Sequence, residues 1–466
     1  MKSCLLFALF LLLSTSQFVA QVTTLKGHID DPKGKKVYLR HYSDYITYAE
    51  VTVDSGVINK KGDFKMTFDW PNPGPVTFYH GDEITELYLC PGDDLHLYLD
   101  TREFDETLKY QGRGVERNAY LAQRMLNPTI TDGSVYKLSE EDFGILVDSL
   151  RNAQTQLLEK SYSNSIAGDN CKDEFLRYQQ AEIQYEWAYE KLNYPMMHRY
   201  VNRVSMDTPM KVSSYAFLDQ VKIDNPEALT SSFYVTFLSS YIQHEVIKQL
   251  VNDTLGDQLK LTEEYIVKNL KGDVLDYAYA NMIYEQLNSY NDTSTVGPVF
   301  RRYKAAFPNG KYIHALDSVV TTISKLGTGN KAPDFTATDA TGKSYSLNDF
   351  RGKIVYLDIW ATWCGPCVAE IPNMEKLIDL FEGEDVVFLA VSVDDDQERW
   401  KKYIVDKKMQ GMQLHSPGGF DSNISKQYAV VGIPRYVLID KEGIIIEGNA
   451  DRPGDMRDKL NSLLDE

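Results

Sequence analysis

The sequence predicts a multidomain protein with an N-terminal all-β domain, a central all-α domain and a C-terminal α/β domain. Three observations predict it. Short runs of alternating apolar residues, punctuated by Gly, Pro, Asn and Asp, occupy 21–112; Glu, Lys, Gln, Leu, Ala and Tyr at helical spacing occupy 113–326; and from 327 to 466 apolar strand runs alternate with helical stretches. A chain of 466 residues also exceeds what one hydrophobic core serves, and a prior of roughly 150 residues per domain agrees with three parts.

Lys2, the apolar run Leu5 to Leu13 and the small and polar residues Ser14 to Ala20 have the layout of a secretory signal peptide over 1–20. The run is about nine residues, against the roughly 20 that span a bilayer, so no stable membrane insertion is expected after its removal. Cys4 leaves with it. An exported, periplasmic protein follows. The net charge of -18, with no basic run, excludes nucleic acid as a partner, since that binding rests on clustered Lys and Arg neutralising phosphates.

In the β domain, Val51-Thr52-Val53 and Phe64 to Phe68 flank Asn59-Lys60-Lys61-Gly62, which reads as a hairpin. Leu87 and Leu89 precede the turn Pro91-Gly92-Asp93-Asp94, and Leu95, Leu97 and Leu99 follow on one strand face, so a sandwich or open barrel is expected. His28, His41, His80 and His96 lack ligand spacing and read as surface or rim residues. Cys90 reads as a small buried hydrophobe, with a bridge to Cys171 as the second choice. In the helical domain Phe175, Tyr178, Tyr185, Tyr189 and Leu192 make one stripe, read as packing between helices, and Pro195 should end or kink that helix. His244-Glu245-Val246-Ile247-Lys248 lacks the second histidine that a zinc site needs. No metal and no cofactor are expected.

Leu326-Gly327-Thr328-Gly329-Asn330-Lys331 reads as a linker. Beyond it come a hairpin around Asp339-Ala340-Thr341-Gly342, the apolar strand Ile354 to Trp360, and a helix starting after Trp363-Cys364-Gly365-Pro366-Cys367. Strands near Val386 to Val393, Met412 to His415, Tyr436 to Ile439 and Ile444 to Glu447 follow, with helices at Gln397 to Lys408 and from Pro453. Alternation of this kind predicts a central sheet covered on both faces.

Cys364 and Cys367 carry the chemistry. Two thiols at this spacing close a disulfide or release a dithiol, passing two electrons to or from another disulfide. Cys364, at the start of its helix, meets free backbone N-H groups and the positive end of the helix dipole, which favour a thiolate, so it is the candidate nucleophile. Cys367, one turn on, is the candidate resolving thiol. Asp358 interrupts an apolar strand, where a buried carboxylate needs a reason, and Glu370 follows Cys367 by three residues on the same helix flank; both are candidates for proton handling.

These residues carry a resemblance. Ala332-Pro333-Asp334-Phe335, Asp349-Phe350-Arg351-Gly352-Lys353, Trp360 to Cys367, Glu370-Ile371-Pro372 and Val431-Gly432-Ile433-Pro434 occur in this order, and the C-terminal domain resembles the TlpA/ResA-like thiol-disulfide oxidoreductases of thioredoxin fold. The resemblance implies a cis Pro434 that, with Ile433 and Trp363, faces the substrate. The Gly-Pro pair between the cysteines is similar to that of thioredoxin and implies a reducing potential nearer roughly -270 mV than DsbA's roughly -120 mV. It also implies disulfide-bearing exported proteins as substrates, a membrane electron donor of the DsbD/CcdA type, and cytochrome c maturation among the candidate pathways. The strands before it, with Leu89-Cys90-Pro91-Gly92-Asp93-Asp94-Leu95, resemble a β domain that precedes thioredoxin domains in exported bacterial proteins. Two rivals follow: a binding module with a secondary redox domain, and a thiol peroxidase, which Leu357 and Ala361 at the positions of that family's loop residues disfavour.

Overall fold

The computed structural model describes residues 22–81, 83–127, 130, 132–163, 169, 171–205, 215–250, 258–290, 293–430 and 432–465. The signal-like segment 1–20 and Val431 lie outside them. The chain forms two compact units, one ending at Asn252 and one beginning at Asp253, and the helical stretch is shared between them.

The first unit begins with eight strands: β1 (Val22–Asp30), β2 (Lys36–Tyr42), β3 (Glu50–Val57), β4 (Asp63–Asp69), β5 (Gly74–His80), β6 (Glu83–Leu89), β7 (Asp94–Asp100) and β8 (Lys109–Gly112). They make two four-stranded sheets, ordered β4-β1-β7-β8 and β3-β2-β5-β6. Alternation dictates the core: Leu25, Leu39, Phe78, Leu87, Leu89, Leu95, Leu97 and Leu99 are all buried in the sandwich. The expected hairpin of the Val51 and Phe64 strands is corrected. β3 pairs β2 whereas β4 pairs β1, so residues 58–62 carry the chain from one sheet to the other. Periodicity fixes the inward face of a strand and leaves its ladder partner open. His80 is also corrected, being 1% exposed: Nε2 accepts from Lys33 N at 3.0 Å, and Nδ1 lies 3.1 Å from the Lys36 carbonyl oxygen.

Helices Val115–Met125, Glu140–Ser163, Lys172–Asn202 and Ser232–Leu250 complete this unit. Phe175 packs among the rings of Tyr88, Tyr120 and Tyr162, 5.0, 5.8 and 5.6 Å away, so the aromatic stripe is core. The helix runs on past Pro195 to Asn202, its later turns held by Tyr194 Oη, which donates to the Leu138 carbonyl at 2.7 Å. Cys90 and Cys171 are joined as a disulfide with a Cα separation of 6.3 Å, which overturns the reading of Cys90 as an unbridged hydrophobe. The bridge ties the end of β6 to the start of helix Lys172–Asn202. Beside it, the buried Arg117 guanidinium donates through Nη2 to both Asp93 oxygens at 2.8 and 2.6 Å and through Nη1 to Asp169.

The second unit opens with helices Gln258–Asn269, Gly272–Tyr290, Thr293–Ala306 and Ile313–Lys325. Seven strands follow: β9 (Thr336–Thr338), β10 (Ser344–Ser346), β11 (Ile354–Trp360), β12 (Val386–Ser392), β13 (Met412–His415), β14 (Arg435–Ile439) and β15 (Ile445–Glu447). They form one sheet ordered β10-β9-β13-β12-β11-β14-β15. β11 is central, parallel to β12 and antiparallel to β14. Val355, Leu357 and Ile359 pack with Trp400 of helix Gln397–Asp406, whereas Ile354 and Tyr356 pack with Leu377 of helix Gly365–Leu380 and Leu460 of helix Arg457–Leu464. The stretch read as a linker is docked on β15: Gly329 N donates to Ile445 O, and Ile445 N to Asn330 O, both at 2.8 Å. Its small polar residues satisfy a sheet edge.

Arg117→Ala leaves two buried carboxylates without their cation. The expected loss in the first unit is about 3–5 kcal/mol in a denaturant melt, and Arg117→Lys should recover only part of it, because an ammonium lacks the fork that reaches both acids.

Candidate active site

β11 ends at Trp360, and the chain leaves the sheet edge-on through Ala361-Thr362-Trp363 before entering helix Gly365–Leu380. That turn is held by Asp394, which is 1% exposed. Its Oδ2 accepts from Thr362 N at 2.9 Å and its Oδ1 from Thr362 Oγ1 at 2.6 Å, while Ser392 Oγ donates to Oδ2 at 2.6 Å. His415, stacked on Trp400, lies with Nε2 2.6 Å from the Asp394 carbonyl oxygen. Sequence reasoning missed this clamp; its only signal is a polar Ser392-Val393-Asp394 at the end of an apolar strand.

Cys364 is the N-cap of the helix, and its Sγ accepts the Cys367 backbone N-H at 3.1 Å. This first-turn N-H stabilises negative charge on the sulfur together with the helix dipole. Pro366 in that first turn has no N-H to leave unsatisfied. Cys364 and Cys367 form a disulfide with Cα atoms 5.3 Å apart. The Ile433–Pro434 peptide is cis, and the Ile433 carbonyl oxygen lies 3.6 Å from Cys364 Sγ. Around the cysteines the surface is apolar: Trp363 is 49% and Phe420 46% exposed, their rings edge to face at 6.2 Å. Phe420 is a second residue the sequence did not mark.

The two acids have opposite environments. Glu370 Oε2 accepts from Asn373 Nδ2 at 3.0 Å and Oε1 from Arg452 Nη1 at 2.9 Å, and these two partners, in that order, hold its carboxyl below the usual range. Asp358 shares the face of β11 that carries Tyr356, the face covered by the active-site helix. Its Oδ1 is buried and has no partner among the described residues. Burial, and then the charge of Glu370, push its pKa up to about 8. Tyr436, directly across the ladder from Asp358, stacks on Tyr356 at 5.4 Å. Trp360, which strict alternation along the strand would put on the same face, instead packs with Tyr403 in the opposite cluster, 5.9 Å away. Among the described residues no cluster of His, Cys, Asp and Glu has the makings of a metal site.

A cysteine pair capping a helix at the end of the central strand, opposite a cis-proline loop, defines a dithiol-disulfide protein of thioredoxin fold. Residues 327–464 match the Redoxin family model. The thiol-disulfide oxidoreductase ResA of Bacillus thuringiensis subsp. konkukian is 35% identical over 127 residues, 27% of this chain and 72% of that protein. ResA of Geobacillus kaustophilus is 36% identical over 125 residues, 26% of this chain and 69% of that protein. Among solved structures, the thioredoxin domain of a thiol-disulfide oxidoreductase from Bacteroides vulgatus is 33% identical, covering 30% of this chain and 98% of that one with a TM-score of 0.28. The chain belongs to the ResA-like thiol-disulfide oxidoreductases, its C-terminal part carrying the likeness.

Two outcomes follow from Asp358 and Asp394. In Asp358 the folded state holds a proton that the unfolded chain gives up, so between about pH 4 and pH 8 stability falls as pH rises, by at most ~1.4 kcal/mol per unit. Asp358→Asn should therefore be little changed at pH 4, increasingly more stable than the native protein up to pH 8, and offset by a constant amount above it, as read by denaturant melts across pH. Asp394→Ala removes the acceptor of three buried hydrogen bonds, from Thr362 N, Thr362 Oγ1 and Ser392 Oγ; a loss of roughly 2–4 kcal/mol is expected, with slower reaction of Cys364 towards an alkylating agent in the reduced protein.

Proposed function

We propose that the protein reduces disulfides in exported proteins by dithiol-disulfide exchange through Cys364 and Cys367. The observation that carries this is Cys364 Sγ capping its helix against the Cys367 N-H, beside exposed Trp363. In the reduced enzyme the Cys364 thiolate attacks one sulfur of the substrate disulfide; a new S-S bond forms, the old one breaks, and the first substrate sulfur leaves as a thiolate that takes a proton from water. Cys367 then gives up its proton, attacks Cys364 Sγ, and expels the second substrate thiolate, leaving the enzyme disulfide and a substrate dithiol. Two electrons have passed to the substrate. A dithiol donor must restore them, and a membrane protein of the DsbD/CcdA type fits an exported reductant.

The apolar flank of Trp363 and Phe420 and the Ile433 carbonyl supply the docking edge in this reading, the carbonyl accepting a hydrogen bond from the substrate backbone. Asp358 and Glu370 govern the proton of Cys367. No helix among the described residues is long and apolar enough to cross a membrane, and export rests on the Lys2 to Ala20 segment alone.

Cys367→Ser in cells should accumulate mixed disulfides on Cys364 that dissolve with dithiothreitol, and Cys364→Ser should accumulate none. Purified native protein should reduce insulin when given a dithiol donor. Absence of adducts together with inert insulin would sink the proposal.

A further inference from the structure

Arg435 is a buried cation to which the exchange chemistry gives no task. It opens β14, directly across the ladder from Ile359 of the central strand, and is 8% exposed. Its guanidinium meets only neutral groups. Nη2 donates to the Gly448 carbonyl oxygen and Nη1 to Asn449 Oδ1 at 3.3 Å, while Nε is buried and has no partner among the described residues. Among those residues it forms no ion pair. Burial pulls its pKa down to about 10. A cation taken out of water without a counter-ion costs stability, and an apolar side chain of similar length would fill the same space at less cost. Stability alone does not explain the arginine.

Its surroundings give it a reason. Two residues before it, the Ile433 carbonyl oxygen lies 3.6 Å from Cys364 Sγ. The ladder with β11 begins at Arg435, so this is the point at which the loop carrying Ile433 joins the sheet. The two residues that Arg435 grips begin a short stretch that reaches β14, β11 and the cysteine helix in turn. Ala450 N donates to the Tyr436 carbonyl oxygen at 3.0 Å, the Asp451 carbonyl oxygen accepts from Tyr356 Oη at 2.6 Å, and Arg452 Nη1 donates to Glu370 Oε1 at 2.9 Å. Residues 448–452 thus fasten the Ile433 loop and the cysteine helix to one piece of chain, and Arg435 makes the attachment on the loop side.

Resting on the exchange reading, we infer that Arg435 is a positioning residue for polypeptide substrates: by fastening the start of β14 to Gly448 and Asn449, it holds the Ile433 carbonyl in place beside Cys364. A peptide disulfide has to meet two points at once, the sulfur of Cys364 and the carbonyl of Ile433, and a misplacement of about 1 Å between such points can cost roughly a hundredfold in rate. A small disulfide without a backbone meets only the sulfur. The planar fork of a guanidinium reaches acceptors on two adjacent residues, which an ammonium does not. Arg435 acts through the loop, and the reactivity of Cys364 itself stays with its helix.

The test compares two disulfides in single turnovers of the pre-reduced full chain: insulin, and bis(2-hydroxyethyl) disulfide, which has no backbone to dock. Arg435→Met keeps the length of the side chain and removes the fork. It should slow insulin reduction about tenfold or more, while bis(2-hydroxyethyl) disulfide reduction and iodoacetamide alkylation of Cys364 stay within about twofold of native. Arg435→Lys should fall between native and Arg435→Met on insulin. Asn449→Ala, at an exposed position, should slow insulin by a smaller factor and add nothing in the Arg435→Met background. If Arg435→Met does not fold, Arg435→Lys and Asn449→Ala decide by the same comparison of the two disulfides. An unchanged insulin rate, both disulfides slowed alike as a merely structural residue would slow them, or a full further loss from Asn449→Ala in the Arg435→Met background would each overturn the inference. Native protein that reduces neither disulfide would overturn the exchange reading instead. The hold is then decided by amide hydrogen exchange over 432–436 with the active-site disulfide closed, which is faster in Arg435→Met if the fork anchors the loop and unchanged if it does not.

Discussion

A carboxyl group with one oxygen buried and without a partner among the described residues is the constraint on which the catalytic unit depends. Asp358 lies on the central strand of a sheet covered on both faces, and a charge there is opposed by burial and by a neighbouring acid. The fold can accept it because the group is free to stay neutral. Around this one position the other site elements are arranged: the strand ends two residues later, the chain turns on the Asp394 clamp, and the helix that begins at Cys364 lies over the same face. A stable fold would be served better by an apolar residue at Asp358.

The first unit meets the same physical problem with a different solution. Asp93 and Asp169 are also removed from water, but there Arg117 donates to both, so the charges are paired and hydrogen-bonded. Pairing fixes geometry and gives each buried charge a partner. The two disulfides divide along the same line. Cys90–Cys171 spans 81 residues and joins strand to helix, so it restricts the unfolded chain as a cross-link does. Cys364–Cys367 spans 3 residues, restricts almost nothing, and sits where an N-H and a helix dipole favour its opening to a thiolate.

Much of this was legible before any coordinates. The period-two runs gave the sandwich faces, the β/α alternation gave the covered sheet, Cys364, Cys367 and Asp358 stand out because each is the wrong residue type for pure packing at its position, and Glu370 stands out by its spacing from Cys367. What stayed hidden has a common cause: it depends on partners distant in sequence. β3 and β4 alternate as a hairpin would, yet each pairs elsewhere. His80 gives no sign that its ring satisfies backbone groups of a neighbouring loop, and Cys90 and Cys171 give no sign of facing each other. Leu326 to Lys331 has the composition of a linker because small polar residues suit both a loose connection and a chain hydrogen-bonded along a sheet edge.

Arg452 is the sharpest case. In the sequence it is one basic residue among many on a surface, and Glu370 is an ordinary helix acid with the right spacing from a cysteine. Only the fold brings them together, and only then do the two acids of the site cease to be equivalent. A carboxylate with two donors is held charged, whereas burial opposes the charge of one whose buried oxygen has no partner among the described residues. The difference between them comes from Asn373 one turn along the helix and from Arg452 far along the chain, and the second of these contacts is invisible to residue type and spacing.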